Sequence, residues 1–116
     1  MKKIIALLVT LCACAISFNA FAGNAQAGKA AVQKYNCASC HGADFNSPID
    51  PSYPKLAGQH ADYIAHALVS YQRGARGANG RGNAIMGGMA KPLTHAEIGD
   101  IAAYRSSLPG SLVLRK

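Results

Sequence analysis

The 116-residue chain is poor in acid: five Asp and Glu stand against 12 Lys and Arg. No stretch alternates apolar and polar residues between hairpin turns, which excludes a sandwich or barrel of short strands. No glycine-rich phosphate-binding motif is present, so a nucleotide-binding fold has no signature here. There is no internal repeat and no low-complexity linker, and the length suits one small domain. The apolar run at the N-terminus falls short of the ~20 residues that span a bilayer.

That run belongs to a leader. Met1-Lys2-Lys3 is a short positive segment, Ile4 to Phe18 is apolar apart from Thr10 and Ser17, and Ala20-Phe21-Ala22 is the small-x-small pattern of a cleavage site. The pattern predicts an exported protein cleaved after Ala22, with residues 1–22 as signal peptide and 23–116 as the mature domain. An uncleaved anchor and a lipoprotein at Cys14 fit less well, the first for length, the second for the poor match of Leu11-Cys12-Ala13 to a lipobox. Loss of Lys2 and Lys3 lowers the net charge of +7 by two, and loss of Cys12 and Cys14 leaves Cys37 and Cys40 as the only cysteines. A small exported domain has a small core and commonly needs a staple. A disulfide across two intervening residues closes too short a loop to supply much stability, so a bound cofactor is expected at the centre.

Three stretches carry helical spacing. Asn24 caps a helix running to about Tyr35, with Ala25, Gly28, Val32 and Tyr35 on one face. A second runs from about His60 to Gln72, with Tyr63, Ile64, Ala67, Leu68 and Tyr71 as its apolar face and Gly74 as its stop. The third opens on the capping box Thr94-x-x-Glu97, continues through Ile98, Ile101, Ala102 and Arg105, and is ended by Pro109. Between them, Gly42 to Gly58 holds Pro48, Pro51 and Pro54, and Gly74 to Pro92 holds six glycines with Met86 and Met89. The predicted class is all-α with long loops, and loops of that length in a small domain wrap something or do something.

Cys37-Ala38-Ser39-Cys40-His41 is C-x-x-C-H, the attachment pattern for c-type haem. Two thiols about one helical turn apart reach the two vinyl groups of a porphyrin, and the next residue is held beside the iron as an axial imidazole. Other readings of the motif fit less well. A thiol–disulfide oxidoreductase places C-x-x-C after a strand, and none is expected here. Zinc needs four ligands, and adjacent Cys40 and His41 do not easily share one ion. The usual sixth ligand of a cytochrome c iron is a methionine thioether. Met86 is favoured, because Gly87-Gly88 lets the backbone approach closely, and Met89 is expected to pack with Leu93 as core. His60, His66 and His95 are expected as surface or partly buried side chains.

Taken together, these residues resemble the class I c-type cytochromes, especially the small soluble bacterial ones and the repeating halves of periplasmic dihaem cytochromes. The likeness covers Gly23 to Leu108. Ala27-Gly28-Lys29 precedes the attachment site Cys37 to Gly42, Tyr53 to Gln59 resembles the loop before the middle helix, Tyr63 and Tyr71 match aromatic positions, and Met86 stands before the Thr94 cap as the family's ligand does. The resemblance implies a three-helix fold wrapped around one covalently bound haem c, held by Cys37 and Cys40 with His41 and Met86 on the iron. It implies that Gly28 lets the first helix meet the last near Tyr104, that the Pro54 carbonyl fixes the His41 ring, and that Arg81, Tyr63 and Gln59 are candidates for the propionates. Arg105 stands where the family commonly has an aromatic, an arrangement expected to set a charge at the helix end.

The expected function is one-electron transfer in the periplasm, in a respiratory chain, without catalysis, since no acid–base pair or substrate site is evident. Lys29, Lys34, Lys55, Arg73, Arg76, Arg81 and Lys91 are expected to form a basic rim that steers acidic redox partners; the same charges would also serve solubility alone. The Arg-Gly pattern of residues 73–82 lacks the stacking aromatics of an RNA site. A ligand-sensing haem protein with an open iron and a cytochrome subunit of a larger periplasmic dehydrogenase are the alternatives to a free monomeric carrier.

Overall fold

The computed structural model describes residues 23–111. The expected leader, with its cleavage site after Ala22, lies outside them. Five helices occur among the described residues: α1 (Ala25–Lys34), α2 (Ala38–His41), α3 (Ala61–Arg73), α4 (Ala84–Ala90) and α5 (His95–Ser107). None is long and apolar enough to cross a membrane. The three long helices are those read from the sequence, and no strand is found among the described residues.

Their ends form for the local reasons the sequence suggests. The Asn24 side chain accepts from the Gln26 and Ala27 N–H groups at 2.9 and 3.1 Å, satisfying two of the donors a helix start leaves open. Both arms of the Thr94–Glu97 capping box are present. Gly74 ends α3 at φ 69°, a left-handed conformation that suits glycine.

Helices α1 and α5 pack most extensively, and α3 lies against both α5 and α4. Gly28 is buried at the first contact. A Cβ placed there would collide with the Asp100 carbonyl and press on Tyr104 Cβ, so the approach near Tyr104 depends on the missing side chain. The same crossing is tied by the Asn24 N–H donating to Asp100 Oδ1 at 2.7 Å. Lys34 and Tyr35 both donate to Glu97, Lys34 at 2.9 Å. The core is small: Ala31, Val32, Phe45, Ala57, Ile64, Ala65, Leu93, Ile98, Ile101 and Ala102 form one cluster.

Several expectations need correction. The glycine-rich segment after α3 is not all loop, because Asn83 caps α4 by accepting from the Met86 N–H at 2.9 Å, and that cap overcomes the poor propensity of Gly87-Gly88. Met89 does not join Leu93 in the core but is 38% exposed on α4. Tyr63, placed on the apolar face of α3, is half exposed. Arg105 lies in the last turn of α5, at the helix end as expected, but it is buried rather than in solvent, 2% exposed.

Candidate haem site

The attachment motif is held on a single tight turn. Asn36 takes a positive φ of 51°, breaking the chain out of α1, and the Cys37 N–H returns to the Val32 carbonyl at 3.0 Å. Cys37 caps α2, which carries Ser39, Cys40 and His41. Ser39 Oγ donates to the Asn36 carbonyl at 2.8 Å. Gly42 then leaves the turn at φ 83°, where a Cβ would strike the Ser47 carbonyl. Both thiols are free and half-buried rather than joined in a disulfide.

His41 is buried. Its Nδ1–H donates to the Pro54 carbonyl at 3.0 Å, the contact the family resemblance implied. This fixes the tautomer and leaves Nε2 with its lone pair available to a metal. Burial pushes the imidazole below its usual pKa; the Pro54 carbonyl opposes the shift and the charge of Arg105 adds to it. The ring is therefore neutral at neutral pH, as an axial ligand requires. Tyr53 lies beside it, 6.3 Å between ring centres.

The loop from Gly42 to Gly58 keeps Pro54 in place. Asp44 Oδ1 accepts from the Asn46 and Ser47 N–H groups, each at 2.9 Å, and these bonds hold its carboxyl below the usual range. Phe45 adopts φ 56° and is almost fully buried; its carbonyl accepts from Leu56 and Ala57. The Gly58 N–H donates to the Arg105 carbonyl at 3.0 Å, joining the loop to α5.

Met86 comes from a separate element. It lies half-buried on α4, which packs on α3. Gln72 Nε2 fastens the two by donating to the Ala90 and Leu93 carbonyls at 2.9 and 2.8 Å. Arg81 and Tyr63 are brought together, guanidinium to hydroxyl at 3.3 Å, with the Tyr71 ring centre 5.5 Å from the guanidinium. Gln59 instead accepts from the His60 N–H. His60, His66 and His95 are exposed. Among the described residues no group of three His, Cys, Asp or Glu could hold a metal ion, so a zinc site lacks a ligand set.

The sequence profile described as Cytochrome c matches residues 25–109. The chain belongs to the cytochrome c family. It is 41% identical over 115 residues to cytochrome c4 of Stutzerimonas stutzeri, covering 96% of this chain and 52% of that protein. It is also 41% identical over 86 residues to cytochrome c-554(548) of Halomonas halodenitrificans, covering 74% of this chain and 98% of that protein. The crystal structure of reduced recombinant cytochrome c4 from Pseudomonas stutzeri superposes with a TM-score of 0.65 at 39% identity, over 78% of this chain and 48% of that one. The chain thus spans about half the length of the cytochromes c4 it matches.

Membership in this family implies a covalently bound haem c, and the residues fit one. Two unpaired thiols stand one turn apart beside a neutral imidazole with one ring nitrogen already committed. Two buried donors of Arg105, Nε and Nη1, have no protein partner, as expected of a wall built to face something else.

Three parts of this site were not anticipated: Phe45, Tyr53 and Arg105. Arg105 had a signal, since its spacing from Ile98, Ile101 and Ala102 puts it on the buried face of α5. The position of Phe45 depends on a left-handed backbone that no local pattern announces.

Proposed function

We propose that the chain is a periplasmic electron-transfer protein carrying one electron on a single six-coordinate haem c. Cys37 and Cys40 form the thioethers, His41 Nε2 is one axial ligand and Met86 Sδ the other. When bound, the haem supplies a one-electron ferric/ferrous couple. Cys37 and Cys40 fix the porphyrin to α2, Pro54 holds the imidazole in orientation, and the core around Phe45, Leu93 and Ile98 excludes water. Met86 would occupy the remaining iron site, an arrangement that suits electron transfer rather than binding of small ligands, and no catalysis is assigned to it. The observation that carries this reading is the His41–Pro54 hydrogen bond on the residue directly after two free thiols.

The single C-x-x-C-H motif in the 116 residues supports one haem in this chain. The leader pattern of residues 1–22 supports export with cleavage after Ala22. Partners with acidic docking surfaces suit the exposed Lys29, Lys55, Arg73, Arg76 and Lys91. Lys34 is committed to Glu97 and Arg81 to Tyr63 and Tyr71, so those two contribute less to steering. Arg81 and Tyr63 are the candidates to meet a propionate.

The visible spectrum of the purified protein tests the reading. Sharp low-spin bands on reduction and the weak red band of methionine ligation on oxidation are expected, with the red band lost in Met86→Ala and kept in Met89→Ala. A high-spin iron that binds carbon monoxide in the unaltered protein would overturn the carrier. Failure to load haem with a working attachment system would overturn the site.

A further inference from the structure

Arg105 is among the largest fully buried side chains of the described residues. Its guanidinium carbon lies 3.0 Å above the centre of the Phe45 ring. Its charge is felt at the Cys37 thiol and at His41. Nε and Nη1 have no hydrogen-bond partner, and no ion pair to Arg105 occurs among the described residues, where Glu97 is taken by Lys34. Burial lowers its pKa to about 10, which leaves it charged at neutral pH.

A buried cation without an anion is costly in a domain this small. Cys37, ahead of Tyr104, is the group whose ionisation would most offset the charge. Thioether formation removes that option, because the sulfur can then no longer ionise. The porphyrin bonded at Cys37 is thereby brought next to a fixed positive charge. Ferric haem carries one more unit of positive charge than ferrous haem, so such a charge disfavours the oxidised state. It acts through protein rather than water, where screening by salt is weak.

Resting on the haem reading above, we propose that Arg105 is a buried cation set beside the attachment site that biases the iron toward its reduced state. The electron comes from the redox partner; Arg105 is neither oxidised nor reduced and exchanges no proton in the step.

The test is a spectroscopic redox titration of the holoprotein and of Arg105→Leu, Arg105→Gln and Arg105→Lys at pH 7, in low salt and in 1 M salt. Removing the charge is expected to lower the equilibrium constant for reduction about tenfold, ~59 mV for a one-electron couple, in both salts. Lys is expected to restore most of it. An unchanged or raised potential in the neutral variants, or a shift that vanishes in 1 M salt, would overturn the proposal. If Leu prevents folding, the polar Gln variant carries the test. Each variant is first required to show the low-spin spectrum of the parent. A parent without haem would instead defeat the underlying reading and leave no potential to compare.

Discussion

The α1–α5 side of the molecule and the α3–α4 side are held together by different means. On the first, a glycine lets two backbones meet, Asn24 is bonded to Asp100, and Glu97 gathers Thr94, Lys34 and Tyr35. On the second, a seven-residue helix hangs from α3 through Gln72 and opens on the cap of Asn83, with Ile85 and Met89 left in solvent. The first side is close-packed before any cofactor enters. The second, which carries Met86, has little of its own to hold it, and under the reading proposed above an iron bond at Met86 would add to its anchorage. Stability is thus concentrated where the helices cross, and α4 is the more lightly held element, in keeping with the uneven stability common within domains.

The sharpest way to break this contrast is at Gly28. Valine there meets backbone rather than a side chain that could swing aside, and overpacking of this kind costs about 3 kcal/mol. Gly28→Val is expected to lower the denaturant midpoint of the whole holoprotein. A normal midpoint would mean that the crossing is not the main anchor. Gln72→Ala probes the opposite side. Losing two hydrogen bonds to carbonyls costs about 1–2 kcal/mol, and the loss should fall on α4. Faster cyanide entry at the sixth position, with the global midpoint little changed, is the expected result; an equal fall in both would show that the two sides open as one.

The smallest effect concerns acid. Glu97 is held at a pKa of about 2, first by Lys34 and then by the Thr94 N–H. Its folded value lies below its ordinary 4.5, so its contribution is present above that value and is lost as pH falls toward 2. Glu97→Gln should therefore lower the melting temperature near neutrality, and the gap from the parent should close between pH 4.5 and 2. A gap that persists at pH 2 would assign the effect to packing rather than charge.

What the sequence made legible was local. Asn24, Thr94 with Glu97, and Gly74 each act on backbone within a few residues, and all mark the ends read from them. The attachment turn was legible for the same reason, since its five positions are consecutive. Three features were not, because distant chain decides them. Met89 looked like core, but α4 forms and turns it outward. Phe45 reaches the interior only through its left-handed backbone. Arg105 was correctly spaced for the buried face of α5 and stands in its last turn, but its burial was not legible, because only the assembled Phe45 and Cys37 give it surroundings.

The bond from Asn24 to Asp100 spans 76 residues, nearly the whole domain, and this sets an order of events. Non-local closure is slow relative to helix formation, and here it cannot begin until the last helix exists. Until then Cys37 and Cys40 lie on a chain that has not shut around them. The crossing is thus a clasp between the two ends of the described chain, and α1 gains its main partner only when α5 reaches it.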